Sequence, residues 1–157
     1  MAEATLTNAL VNGGTAVKLN AYRIRYGWKN LGKIEPIAGK YDIAEGNFLG
    51  FENPVIEVEG IIDVDNLPSP NTGSNAVITQ EYLIDFCLAK EADTYFSVKT
   101  GQNNVALKGR PSSGYSVGGT MTDTVKVMIE SFDLSFSARE SREGYIWRYR
   151  LVMREVI

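Results

Sequence analysis

The residues with the greatest chemical capacity here are carboxylates spaced two apart. Glu57 and Glu59 alternate within Asn53 to Asp63, NPVIEVEGIID. On an extended chain they share one side, about 7 Å apart. Carboxyl pairs at about 5–9.5 Å can act as acid and base in glycoside hydrolysis. Asp63 and Asp65 follow, and such oxygens can contribute to a hard-cation site. The run Asp63-Val64-Asp65-Asn66 lacks the glycine and closing glutamate of an EF-hand loop. Carboxylates alternating along a strand also serve as its wet side, which is the expectation for these. Cys87 is the one cysteine. It falls in an apolar helical stripe and is expected to be a buried structural thiol. Tyr145, Trp147 and Tyr149 alternate as well. They form either a stacking platform for sugars or bases or the core side of a strand, and the core side is expected.

Several chemistries are excluded by composition. The chain has no histidine, which removes Ser-His-Asp and Cys-His catalysis and imidazole metal sites. One cysteine cannot form an intrachain disulfide or complete a Cys₂His₂ or Cys₄ zinc site. No Gly-x-x-x-x-Gly-Lys-Ser/Thr occurs, and Gly13-Gly14 and Gly118-Gly119 are isolated pairs. The expectation is a protein that is not an enzyme and uses no cofactor or metal.

The chain has 157 residues, 44% of them hydrophobic, and a net charge of -3. That length suits a single domain spanning 1–157. The acidic balance argues against a protein whose main task is gripping nucleic acid. The start, Met1-Ala2-Glu3-Ala4-Thr5, is acidic and lacks the basic region and apolar run of a secretory signal. No stretch approaches the 18 or more apolar residues of a membrane span. Synthesis in the cytoplasm without an export address, and no membrane partner, are therefore expected.

Charge is unevenly distributed. From Thr15 to Lys33 the ionisable residues are Lys18, Arg23, Arg25, Lys29 and Lys33, all positive. From Glu35 to Asp65 they are eight acids and Lys40. This is either a solvated surface or a basic face built to meet another copy's acidic face. Head-to-tail contacts between unlike patches make rings if they close and filaments if they do not. Arg148, Arg150 and Arg154 give one side of the last strand a charge that suits water or a charged partner.

Gly, Pro and Asn clusters divide the chain into strand-sized intervals. Val55 to Asp63 alternates, with Ile56, Val58, Gly60 and Ile62 on one side. Gly144 to Val156 alternates over a longer run. Its partner, Asp123 to Ser137, changes apolar phase near Glu130-Ser131, which predicts a β-bulge. Those two form a long antiparallel hairpin. Thr15 to Trp28 reads as one long strand, with Tyr22, Ile24, Tyr26 and Trp28 in phase. Thr94 to Thr100 and Asn104 to Lys108 read as two weaker strands joined across Gly101-Gln102-Asn103. One helix is predicted from Thr79 to Lys90, with Thr79 as N-cap and Leu83, Phe86 and Cys87 inward. The total describes a mainly β chain, an antiparallel sandwich or barrel with one flanking helix.

That arrangement resembles the tail tube proteins of tailed bacteriophages and related contractile injection systems. The resemblance rests on NPVIEVEGIID, the helix from Thr79 to Lys90, the polar loop Arg110 to Met121 and the C-terminal strand pair. It implies a virion tail component assembled in the host cytoplasm, with copies in rings, usually six, stacked around a DNA-conducting channel. Tail sheath, tape measure and baseplate proteins are the implied partners, with DNA a transient passenger. Glu57, Glu59 and Asp63 become lumen-facing candidates. Loop 110–121, with Arg110, Tyr115 and Met121, becomes the ring-to-ring candidate, and an N-terminal arm of about 1–14 a second. Arg148, Arg150 and Arg154 become candidate subunit-interface charges. The alternatives are a baseplate or tube-initiator protein of the same fold, or a ligand- or glycan-binding β-barrel using Tyr145, Trp147 and Tyr149.

Overall fold

The computed structural model describes residues 3–27, 34–36, 44–46, 55–99, 107–108, 121–122, 124–136 and 146–156. In chain order the strands are β1 (Glu3–Asn8), β2 (Val17–Lys18), β3 (Ala21–Gly27), β4 (Ile34–Pro36), β5 (Ala44–Gly46) and β6 (Val55–Asp63). The helix α1 (Gln80–Leu88) follows, then β7 (Thr94–Lys99), β8 (Leu107–Lys108), β9 (Met121–Thr122), β10 (Thr124–Phe136) and β11 (Ile146–Glu155). The fold is mainly β with one helix, as expected. Among the described residues no helix is long and apolar enough to cross a membrane.

Seven strands form one antiparallel sheet in the order β2-β1-β7-β10-β11-β6-β3. β2 and β3 stand at opposite ends of that order, yet only Leu19 and Asn20 separate them in the chain. A link that short spans roughly 11 Å. The sheet therefore rolls until its two ends meet. Asn20 makes the corner with φ 48°, a left-handed conformation that Asn tolerates. Its side chain donates to the Ile61 carbonyl at 3.2 Å. Its own carbonyl accepts from Ile61 N–H at 3.3 Å.

The inside of the roll is the core. Leu6, Ile56, Val58, Phe96, Leu151 and Met153 are essentially inaccessible there. Ile56, Val58, Gly60 and Ile62 face inward, following the alternation read in the sequence. α1 adds Leu83 and Phe86. Thr79 caps it, its hydroxyl accepting from Tyr82 N–H at 3.2 Å. The helix stops at Leu88, two residues short of Lys90. The bulge predicted near Glu130-Ser131 is present, because the β10–β11 register shifts between Ile129 and Ser131.

Tyr149 is 2% exposed and lies on the inner side of β11. Opposite it on β6 stands Gly60. A Cβ there would lie 2.5–2.6 Å from the Tyr149 ring and hydroxyl. Only glycine leaves room for the ring to cross β6. Having crossed, the phenol donates to the Leu19 carbonyl and pins the β2–β3 corner.

Three expectations change. Thr15 to Trp28 is not one strand, because the Asn20 corner divides it. Tyr22 leaves the phase of Ile24 and Tyr26, because the register shifts between Ala21 and Arg23 and turns Tyr22 outward. Of the two weaker strands expected next, Thr94–Lys99 pairs with β1 and β10 and Leu107–Lys108 pairs with β9, while the junction Gly101-Gln102-Asn103 lies outside the described residues. Of the expected N-terminal arm of 1–14, Glu3–Asn8 is instead a sheet strand, with Ala4, Leu6 and Asn8 buried. Asn8 closes this region. Its amide donates to the Ala89 carbonyl (3.2 Å), the Ala92 carbonyl (3.1 Å) and Thr94 Oγ1 (3.0 Å), and its oxygen accepts from Leu10 N–H (2.9 Å).

Candidate functional site

The outer side of β10, β11, β6 and β3 is where the sequence-selected charges converge. Period-2 geometry puts every second residue outward, and register puts them in rows. One row runs Asp133, Arg150, Glu59, Arg23. The next runs Ser131, Val152, Glu57, Arg25. In the first row the sign of charge alternates at every strand.

Ion pairs tie these rows together. Glu57 Oε1 accepts from Arg150 at 2.9 Å, and its other oxygen lies 3.9 Å from Arg25. Glu59 lies 3.6 Å from Arg23. Arg154 donates to Glu130 at 2.6 Å. Arg148 stands 5.7 Å from the Tyr22 ring centre, a cation–π distance. The carboxylates sit lower than the guanidiniums: the Glu57 and Glu59 side chains are 27% and 29% exposed, those of Arg25 and Arg23 65% and 61%. Pairs this wet contribute little to stability, about 0–1 kcal/mol each.

Glu57, Glu59, Arg148, Arg150 and Arg154 all lie on one face, the carboxylates flanked by arginines. The basic stretch and the acidic stretch are therefore hydrogen-bonded strands of one molecule where β3 meets β6. Asp63 lies on the same face at the end of β6 and accepts from the Asn66 amide at 2.8 Å. Met121 belongs to β9, while Arg110 and Tyr115 lie outside the described residues.

Other candidates resolve as structure. Tyr149 is buried and Trp147 packs against the core, 5.5 Å from the Phe136 ring centre. Buried Tyr149 cannot take part in an open stacking platform, and Trp147 is partly buried against the core; Tyr145 lies outside the described residues. Glu57 pairs with Arg150 and Arg25, and Glu59 lies near Arg23. Cys87 is half-buried rather than fully buried, and burial pushes its thiol pKa up. Among the described residues no group of three or more His, Cys, Asp or Glu could hold a metal. A groove of about 550 Å³ lies at the start of α1, lined in part by Ile62, Leu67, Asn71, Thr79 and Glu81. Two of its polar side chains are engaged: Asn71 holds both backbone groups of Val77, and Thr79 caps the helix.

The four strands also present two edges. β10 pairs with β7 from Thr124 to Val127, so from Met128 to Phe136 its one described neighbour is β11. β3 ends the sheet order, and around Arg23 and Arg25 its one described neighbour is β6. Sequence reasoning missed these edges, because they depend on how far each strand outruns its neighbour.

Comparison with known proteins gives the following. No protein-family model matches the chain. No curated protein matches it. Among solved structures, it is similar to a chain of the sheath/tube terminator of PVC, an extracellular contractile injection system, in the extended state. The identity is 11%, covering 98% of this chain and 91% of that one, with a TM-score of 0.44. It is similar also to a chain of the PVC sheath-tube complex in the extended state, at 11% identity, 98% and 86% coverage and a TM-score of 0.41.

Proposed function

We propose that this chain is a structural subunit of a phage-tail-like tube, arranged in rings, six-membered by resemblance, that stack around a DNA-conducting channel. The observation that carries this reading is the pair of edges on β10 and β3. An edge strand presents a row of backbone donors and acceptors, a template for pairing with another chain. The two edges lie three antiparallel steps apart, so they run in opposite directions. β3 of one copy set beside β10 of the next makes an antiparallel pair. Repetition then adds four strands per copy to one continuous wall. A head-to-tail contact of this kind closes into a ring when its rotation closes.

In such a wall the outer face of β10-β11-β6-β3 lines the channel. Glu57, Glu59 and Asp63 then face the lumen together with Arg148 and Arg150, giving a polar and locally neutralised surface. Loop 110–121 joins ring to ring, and sheath, tape measure and baseplate proteins are the expected partners. The role is structural, without enzymatic activity.

Negative-stain electron microscopy of the purified protein tests this, alone and seeded with short preformed tubes. Rings or tubes are expected. A species that stays monomeric at high concentration and fails to extend a seed refutes the reading.

A further inference from the structure

We infer that the seam between copies is a continuation of the charge ladder, with Arg23 and Arg25 on β3 of one copy facing Asp133 and the Ser131–Glu130 bulge on β10 of the next. This rests on the ring reading above and specifies its register. The first row runs negative, positive, negative, positive across β10, β11, β6 and β3. Its two ends therefore carry opposite signs. Head-to-tail repetition sets Arg23 beside Asp133 and keeps the alternation unbroken through the seam. The competing symmetric contacts do not. β3 against β3 would bring arginines together, and β10 against β10 would bring Asp133 against Asp133 or Glu130. Directly opposed like charges destabilise a strand pair. The ladder thus selects the head-to-tail contact over a closed dimer.

Direction and spacing agree with this register. Running antiparallel, Arg23 to Arg25 on one strand meets Asp133 to Ser131 on the other. The bulge sets Glu130 beside Ser131, where Arg154 of the same copy holds it at 2.6 Å, so the charge offered at the seam is that of Asp133. The groups are available: Arg23 and Arg25 are the most exposed members of their ion pairs and hold their own carboxylates only loosely, at 3.6 and 3.9 Å, and Asp133 is exposed.

The test uses the full chain with Cys87→Ser. Arg25→Cys with Ser131→Cys places two thiols in the seam while keeping Arg23 and Asp133. Within one copy these positions are three inter-strand steps of about 4.8 Å apart, beyond disulfide reach. Oxidation is expected to give a ladder of covalent multimers. Arg25→Cys with Ser135→Cys, displaced by four residues along β10, is expected to give none. In parallel, Asp133→Arg is expected to raise the concentration needed for assembly by roughly tenfold or more, with circular dichroism unchanged. If wild-type rings form, but the first pair does not cross-link or Asp133→Arg assembles like wild type, this register is wrong and the ring reading survives. If wild-type protein forms neither rings nor tubes, both fail.

Discussion

The contact between Tyr149 and Gly60 makes a sharp prediction about what holds the rolled sheet closed. Tyr149 reaches from β11 across Gly60 to the Leu19 carbonyl at the corner between β2 and β3. Tyr149→Phe keeps the ring and removes the donor. The Leu19 carbonyl then loses a partner in a site where water does not replace it, costing about 1–3 kcal/mol. Gly60→Ala puts a methyl 2.5–2.6 Å from the ring and hydroxyl, well inside van der Waals contact. The ring is held at its far end by Leu19, so relief needs backbone movement, and the cost is again about 1–3 kcal/mol. For a chain of this size each kcal/mol lowers Tm by roughly 2–4 °C. The two changes act on one contact and should not add. Gly60→Ala combined with Tyr149→Leu, which removes the ring, should cost less than the sum of the single changes by about 1 kcal/mol or more. Urea unfolding of the four proteins measures this. Additive costs, or a neutral Gly60→Ala, would refute the claim that glycine is there to let the ring across.

Three further outcomes follow from the same structure. Asn8→Ala should cost about 1–3 kcal/mol, because it strips partners from the Ala89 and Ala92 carbonyls and from Leu10 N–H; hydrogen exchange should show faster opening at the end of α1. Stability should fall as pH rises above about 10. Burial and nearby Tyr22 raise the pKa of Tyr149, and burial pushes that of Tyr26 up to about 12, from the ordinary 10.0. Both phenols are neutral in either state below that pH. Above it the unfolded chain loses its protons first, so stability drops with pH, by up to about 1.4 kcal/mol per pH unit for buried Tyr149; Tyr149→Phe should flatten the pH dependence of the urea midpoint. Cys87 should react slowly with a disulfide reagent at neutral pH and faster as pH rises, because burial disfavours its thiolate; fast labelling at pH 7 would contradict this.

The strands were legible because burial on one side imposes a period of two. β6 and β11 kept their inward residues, and the bulge in β10 announced itself as a break in phase. Thr79 was legible as a cap because its hydroxyl satisfies a nearby backbone donor, a local matter. The outward turn of Tyr22 is not legible in the same way, because one inserted residue turns a side chain over without changing the composition of its neighbours.

The amino-acid sequence alone determined which side of each long strand is wet, where the helix begins, and which chemistries the missing histidines exclude. It did so because those properties depend on residues a few positions apart. The tertiary structure alone decided who neighbours whom. A basic stretch and an acidic stretch read as opposed faces became β3 and β6, adjacent strands whose charges interleave. The corner at Asn20 brought the two ends of the sheet together, and unequal strand lengths left the edges on β10 and β3. Pairing register and strand overhang are long-range quantities, fixed when distant segments close around one core.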